Sequence, residues 1–237
     1  MGKGREIVDR ARRDQQDNHS LLAKLTGNFA GVYLTMLSII QGVALTNLAA
    51  VTFLGYRQFT LVMWIQVATM LWLIILIWNH FMGDALMTNW VPDLEDAVLL
   101  FGTGVFELVG NHAIVLSLTL WLAVLAGLMG GWCLGVLYIR HREEEVVRDP
   151  SLLTLLRRRT APFLMETLGG GLLLAVAAVV AAASHASTGG TQISTGVISL
   201  GASLLGFTVV SAIGLTSSWH WRRIRRYAQT GRLPKGL

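Results

Sequence analysis

The chain has 237 residues, of which 53% are hydrophobic and only 14% are charged, and its net charge is +5 at pH 7. Soluble domains carry roughly 25% charged residues, so this composition excludes a typical soluble domain and indicates a protein embedded in a lipid bilayer. The excess of positive charge would favour nucleic acid as a partner of a soluble protein. Here the basic residues lie at the ends of apolar runs, where contact with anionic lipid headgroups explains them, and no nucleic-acid partner is expected.

The first apolar run predicts a transmembrane helix. Residues 1–27 are polar, and their loosely spaced apolar residues predict a cytoplasmic lead-in helix or a partner-binding arm. The uncharged run from Phe29 to Leu54 exceeds the roughly 20 residues needed to span hydrocarbon, and it is longer than the apolar region of a cleavable signal peptide. The short polar turn 55–58 requires an antiparallel return, which predicts a second helix from Phe59 to Trp78.

The basic residues set the number of crossings. Eighteen of the 19 Lys and Arg residues form three clusters of six, within 3–24, 140–159 and 222–235. Short basic segments beside transmembrane helices remain on the cytoplasmic side, so all three clusters should share one face of the membrane. An even number of helices must therefore separate each cluster from the next.

The requirement for an even number of helices decides whether the segment from Asn79 to Gly110 crosses the membrane. In this segment several carboxylates surround a short apolar core, so its own composition is ambiguous. Residues 114–139 are an evident span that leads to the second basic cluster, so a further crossing must precede it. We predict a third helix from about Pro92 to Gly110, with Pro92 and the following acidic residues at the positive end of the helix dipole.

The second half of the chain predicts two more spans. Asp149-Pro150-Ser151 indicates a helix start, and the basic loop that follows is expected to form a short helix on the inner membrane surface or a solvated linker. Phe163–Ser184 and Ile193–Ser217 are the last two apolar runs, joined by an uncharged loop. The predicted fold is an all-α polytopic membrane protein of six transmembrane helices with both termini cytoplasmic. Its segments are an N-terminal arm (1–27), helices one to four (28–139), a basic loop (140–162), helices five and six (163–217) and a basic tail (218–237).

The first helix carries an ordered row of small and hydroxylated residues. Residues at steps of three or four share one helix face, and those of this helix, with Gln41 beside them, are Thr35, Ser38, Gly42, Thr46, Ala49 and Phe53. This face either meets water or mediates close helix packing, as small residues commonly do in membranes.

Few ionisable groups lie inside the predicted spans. Glu107 could pair with His112, or it could reach water near the outer end of the third helix. His80 and Asp84 are four residues apart at the inner end of the second helix and could face each other, either as a reactive pair or as an interfacial anchor. No serine nucleophile elbow, Gly-rich nucleotide loop or second His-rich motif accompanies them, and Cys133 is a single cysteine. We therefore expect no enzyme activity, no cofactor and no metal centre.

Residues 29–110 resemble a family of lysosomal and bacterial potassium channels whose first helix carries a Phe-Ser-Asp signature. The segment Ile39-Ile40-Gln41-Gly42-Val43-Ala44-Leu45 occupies the place of the signature, with Gln41 at the aspartate position. Trp78-Asn79-His80-Phe81, followed by Asp84 or Asp93, is similar to the family's Trp-His element. The resemblance implies a homo-oligomer of six-helix subunits whose first helices line a central pore. The matching face here is that of Ser38, Gly42, Thr46, Ala49 and Phe53, with Phe53 or Leu45 as the gate.

Three functions remain open from the sequence. The first is an oligomeric channel that conducts an inorganic cation along the first helix. The second is a small secondary transporter, which requires a deep carboxylate such as Glu107, and the third is a scaffold or accessory subunit without transport activity. The membrane is expected to be a bacterial inner membrane, because the chain has positively charged flanks and a single cysteine.

The parity argument predicts that residues 88 and 150 lie in the same aqueous compartment. Accessibility tags inserted at the two positions should be modified from the same side of oriented membranes. Modification from opposite sides would contradict the six-helix topology.

Overall fold

The computed structural model describes residues 31–87, 94–146, 150–187 and 192–230, and these residues form helices with no strand among them. Six helices contain a stretch long and apolar enough to cross a membrane, which confirms the all-α, six-helix prediction and identifies an integral membrane protein. The helices are α1 (Gly31–Gln58, ending in a 3-10 turn over Tyr56–Gln58), α2 (Leu61–Met87), α3 (Leu94–Leu116), α4 (Leu118–Val146), α5 (Pro150–Ser187) and α6 (Gln192–Thr230).

The segment that was ambiguous in the sequence crosses the bundle as α3. Gln41 of α1 bonds to Glu107 of α3, and Ala44 of α1 bonds to Asn111. The higher-numbered residue of α1 thus contacts the higher-numbered residue of α3. The two helices therefore run in the same direction, and α2 runs back between them. The span within α3, Glu95–Leu116, has two carboxylates in the first turn of the helix, where the helix dipole favours negative charge.

The hairpin between α3 and α4 turns at a single residue, Ser117, and the predicted boundary near Gly110 is wrong. The Ser117 amide donates to the carbonyl of Ala113 at the end of α3, and the Ser117 hydroxyl accepts the Leu120 amide as the N-cap of α4. Gly110 and Asn111 resemble turn residues in the sequence, but both make contacts between helices. A Cβ atom at Gly110 would lie 2.7 Å from Met70 Cε, and the Asn111 side chain bonds to α1.

The basic loop is also more helical than predicted. α5 begins at Pro150, as expected, but it continues for 38 residues through Pro162 into the fifth span. Residues 150–159 are therefore the start of α5 and not a separate helix on the membrane surface. α4 and α6 likewise extend past their spans, which end at Tyr138 and Ser217. The three extensions leave the same end of the bundle, because α4 is antiparallel to α5 and parallel to α6.

The core lies around α4, and α1 lies at its edge. Trp121, Leu122 and Leu125 of α4 are fully buried against α2, α5 and α6. α1 contributes Ala44 and Leu48 to this core, and it also packs through a smaller apolar cluster of Tyr33 and Leu37 with Leu100 of α3. Only 22% of the apolar stretch of α1 is buried, against 39% for α2, α3 and α4, so α1 presents most of its surface to the surroundings.

Close packing of α6 on α4 predicts the effect of one added methyl group. A Cβ atom at Gly206 would lie 2.8 Å from the Trp121 ring, whereas one at Gly201, on the same helix, would have no neighbour within 4 Å. Gly206→Ala should lower the free energy of unfolding by about 1 to 3 kcal/mol, and Gly201→Ala should leave it unchanged or raise it slightly. Reversible unfolding in mixed detergent micelles measures both, and equal effects would contradict this packing.

Candidate intramembrane polar site

A carboxyl group lies fully buried in the middle third of the α3 span. Glu107 is 0% exposed, and both of its oxygens lie 3.2 Å from Nε2 of Gln41, which is itself 4% exposed on α1. The helices can approach this closely because Gly104 has no side chain: a Cβ atom there would lie 2.5 Å from Ile40 Cγ2. The sequence therefore brings an amide donor and a carboxyl acceptor together inside the membrane.

A second amide lies one helical turn further along α3. The Nδ2 atom of Asn111 donates to the backbone carbonyl of Ala44 at 3.0 Å, and Asn111 is fully buried. The amide oxygens of Gln41 and Asn111 are buried and accept no hydrogen bond. We call Gln41, Ala44, Glu107 and Asn111 the α1–α3 polar site. It is rich in oxygen acceptors and has amide nitrogens as its only donors.

Among the described residues, Glu107 contacts the Gln41 amide and no Lys or Arg side chain. The sequence has no Lys or Arg between Arg57, at the end of α1, and Arg140. A charge at the bilayer centre costs roughly 2.5–3.5 kcal/mol on insertion scales, and a single amide donor offsets only part of that cost. The neutral form of Glu107 avoids this cost, and a bound cation would offset it.

The atoms that could bind a cation at this site limit which cations fit. In the part of the chain that the structure describes, no three His, Cys, Asp or Glu side chains come close enough to form a metal centre. Carboxylate, amide and backbone carbonyl oxygens are hard ligands suited to alkali and alkaline-earth ions. One carboxylate balances one positive charge, which favours a monovalent cation or a proton over a divalent ion.

The predicted pore face of α1 is exposed on the outside of the single chain. Ser38, Gly42, Thr46 and Ala49 are exposed, and Phe53 is 77% exposed. The hydroxyls of Thr35, Ser38 and Thr46 donate to the carbonyls four residues earlier, so their hydrogens need no water. Leu45, Ala49 and Phe53 line a groove shared with Trp64 and Leu71 of α2. Gln41, predicted beside this face, instead points into the bundle.

The predicted histidine partners take other positions. His112 is exposed, and its Nδ1 lies 3.1 Å from the Leu108 carbonyl, so Glu107 contacts Gln41 rather than His112. His80 is buried between α4 and α5, stacked on Phe163 at 5.9 Å and edge-on to Trp132 at 5.1 Å. The side chain of Asp84 lies outside the described residues, so the His80–Asp84 pair stays a prediction.

Asn111 and Asp96 were not among the candidate residues from the sequence. Glu107 and Asn111 are four residues apart, and Asp96, Thr103 and Glu107 follow at steps of seven and four, which places all four residues along one face of α3. This periodicity is readable in the sequence. The predicted end of the third helix near Gly110 hid it, because Asn111 lay beyond that end and before the span 114–139.

The Gln41–Glu107 contact predicts strong coupling between the two residues. Gln41→Leu should leave the buried carboxyl group without its donor and reduce the free energy of unfolding by about 1 to 2 kcal/mol. Gln41→Leu combined with Glu107→Leu should recover most of that loss, because an apolar pair needs no donor. Thr46→Val, on the exposed face, is the control and should change stability by less than about 0.5 kcal/mol. Additive losses in a double-mutant cycle would contradict the contact.

Comparisons of the chain with protein-family models, with curated proteins and with solved structures find no match. The functional assignment therefore depends on the chemistry of the α1–α3 polar site and on the surroundings of α1.

Proposed function

We propose that this protein is a secondary transporter that carries a monovalent cation or a proton through the α1–α3 polar site. The observation that carries the proposal is a fully buried carboxyl group in the middle of the α3 span, which in the described part of the chain contacts the Gln41 amide and no Lys or Arg side chain. Ionisable groups placed in this way are costly, and they commonly mark ion pathways and proton relays. Glu107 would hold the cation or proton, and the side-chain oxygens of Gln41 and Asn111 would complete the coordination of a cation.

The position of the site favours transport within one chain over a pore between chains. Gln41 and Glu107 face each other across the α1–α3 contact, where α1 is attached to the rest of the bundle. α1 is the least buried span, so a small rotation or tilt of α1 relative to α3 would change the solvent exposure of Glu107. Secondary transporters bind their ions near the bilayer midplane between helices that move relative to each other.

An oligomeric cation channel is the second candidate, and the exposed face of α1 favours it. α1 is the least buried span, and the exposed small residues Ser38, Gly42, Thr46 and Ala49 would let four or more copies of α1 approach one axis. Phe53, or Leu45, would then form an apolar constriction. This arrangement is the one implied by the resemblance to the potassium channel family.

Replacement of Glu107 tests the transporter. Purified protein in liposomes should move a monovalent cation or protons down an imposed gradient, with a rate that saturates with concentration. Glu107→Gln removes the charge but keeps the shape, and it should reduce the flux at least about 100-fold, because a neutral amide neither balances the charge of a cation nor takes up and releases a proton. Indicator dyes for pH, Na⁺ and K⁺ identify the species carried.

Glu166→Gln is the matched control. Glu166 is exposed on α5, and the same substitution there should leave the flux unchanged. Electrical conductance that survives Glu107→Gln and increases in Phe53→Ala would contradict the transporter and support the channel. A protein that moves no ion under any gradient would contradict both and leave the scaffold.

A further inference from the structure

A cavity at one end of the bundle leads toward Glu107. It has a volume of about 50 Å³ and lies between α1, α2, α3 and α4, at the side where α2 ends and α3 begins. Its lining includes Tyr33, His80, Asp96, Thr103, Gly131 and Trp132. The cavity reaches Thr103, which is four residues before Glu107 on α3, or about 6 Å along the helix axis. We call this end of the bundle the α2–α3 side.

We propose that this cavity is the entrance by which a monovalent cation or proton reaches Glu107 and that Asp96 is its first binding position. The inference depends on the proposed transport function, and it adds the direction of access and a second carboxylate. Asp96, Thr103 and Glu107 lie on the same face of α3, about 16 Å apart from first to last along the axis.

The cavity has a mostly apolar lining, in which Asp96 and Thr103 supply oxygen atoms. Its volume exceeds the roughly 10–15 Å³ that a single water molecule needs, and such a water also needs two or more polar partners. Asp96 is 2% exposed and contributes a carboxyl group. The hydroxyl hydrogen of Thr103 is donated to the Leu99 carbonyl at 2.8 Å, which leaves the oxygen of Thr103 to accept from water or to bind a cation.

The glycines of α4 make room on the opposite wall. Gly131 and Gly135 line the cavity, and a Cβ atom at either position would meet nothing within 4 Å. A Cβ atom at Gly131 would therefore contact no other residue. This gives a direct position for a chemical probe.

The other side of Glu107 is closed by packing. Beyond Asn111, toward Ser117, Ala113 and Ile114 are buried in the main apolar core. Met70 fills the space beside Gly110, 2.7 Å from where a Cβ atom would lie. The polar site thus has a cavity on the α2–α3 side and a dry core on the Ser117 side, which is the asymmetry expected of a transporter in one of its two access states.

Thiol labelling tests the access route independently of transport. In a Cys133→Ala background, Gly131→Cys should react with a membrane-impermeant cationic methanethiosulfonate added from the α2–α3 side, and not from the other side. Ala113→Cys, buried on the Ser117 side of the same polar site, is the control and should react from neither side.

Transport kinetics test the role of Asp96. Asp96→Asn should raise the KM for the carried ion about tenfold, because a charge-assisted contact is lost, and should leave the maximal rate within about twofold, because Glu107 is intact. Glu95→Gln changes the adjacent, exposed carboxylate and should leave KM unchanged. Equal effects of the two substitutions on KM would overturn the assignment of Asp96.

The outcomes separate this inference from the proposed function. If Glu107→Gln abolishes flux but Gly131→Cys is as unreactive as Ala113→Cys, transport stands and the entrance is wrong. If the unmodified protein moves no ion, the proposed function is wrong, and a reactive Gly131→Cys would then show a hydrated cavity without a transport role, which overturns the inference as well.

Discussion

The contact between the Gln41 amide and the Glu107 carboxyl group determines how α1 joins the other five helices. Only 22% of the apolar stretch of α1 is buried, and lipid chains are as apolar as leucine, so burial of hydrocarbon contributes little to holding this helix in place. The two hydrogen bonds to Glu107, and the bond from Asn111 to the Ala44 carbonyl, specify both its position and its direction. Packing at Gly104 then brings the two backbones close enough for those bonds to form.

The site differs from an ordinary polar contact between membrane helices because two of its buried oxygens accept no hydrogen bond. The hydroxyls of Ser38 and Thr46 donate to carbonyls within α1. The amide oxygens of Gln41 and Asn111, by contrast, are buried without a donor. A proton or cation at these oxygens is what the proposed transport function would supply.

The sequence predicts the helix count well because charge and hydropathy act over whole segments. The basic clusters and the uncharged runs predicted a crossing from about Pro92 to Gly110, although its carboxylates argued against it, and the structure has the span Glu95–Leu116 there. Local boundaries were less reliable. The third helix was predicted to end near Gly110, yet it continues, with the glycine beside Met70 and Asn111 bound to α1. The fifth span was predicted to begin at Phe163, and α5 instead runs from Pro150 through Pro162.

The candidate site was predicted only in part for the same reason. Gln41 and Glu107 were both identified as unusual, but one was assigned to the face of a pore and the other to His112. Their pairing depends on which face of α1 turns toward α3, and small residues occur on both faces. Ile40, beside Gly104, fixes that rotation by shape, and hydropathy carries no information about it.

The separation of 66 positions from Gln41 to Glu107 also has a consequence for biogenesis. A ribosome adds roughly 5–20 residues per second, so Gln41 is synthesised roughly 3 to 13 seconds before Glu107. Throughout that interval the Gln41 amide has no partner from α3. The contact between the two helices therefore forms no earlier than translation of α3 allows.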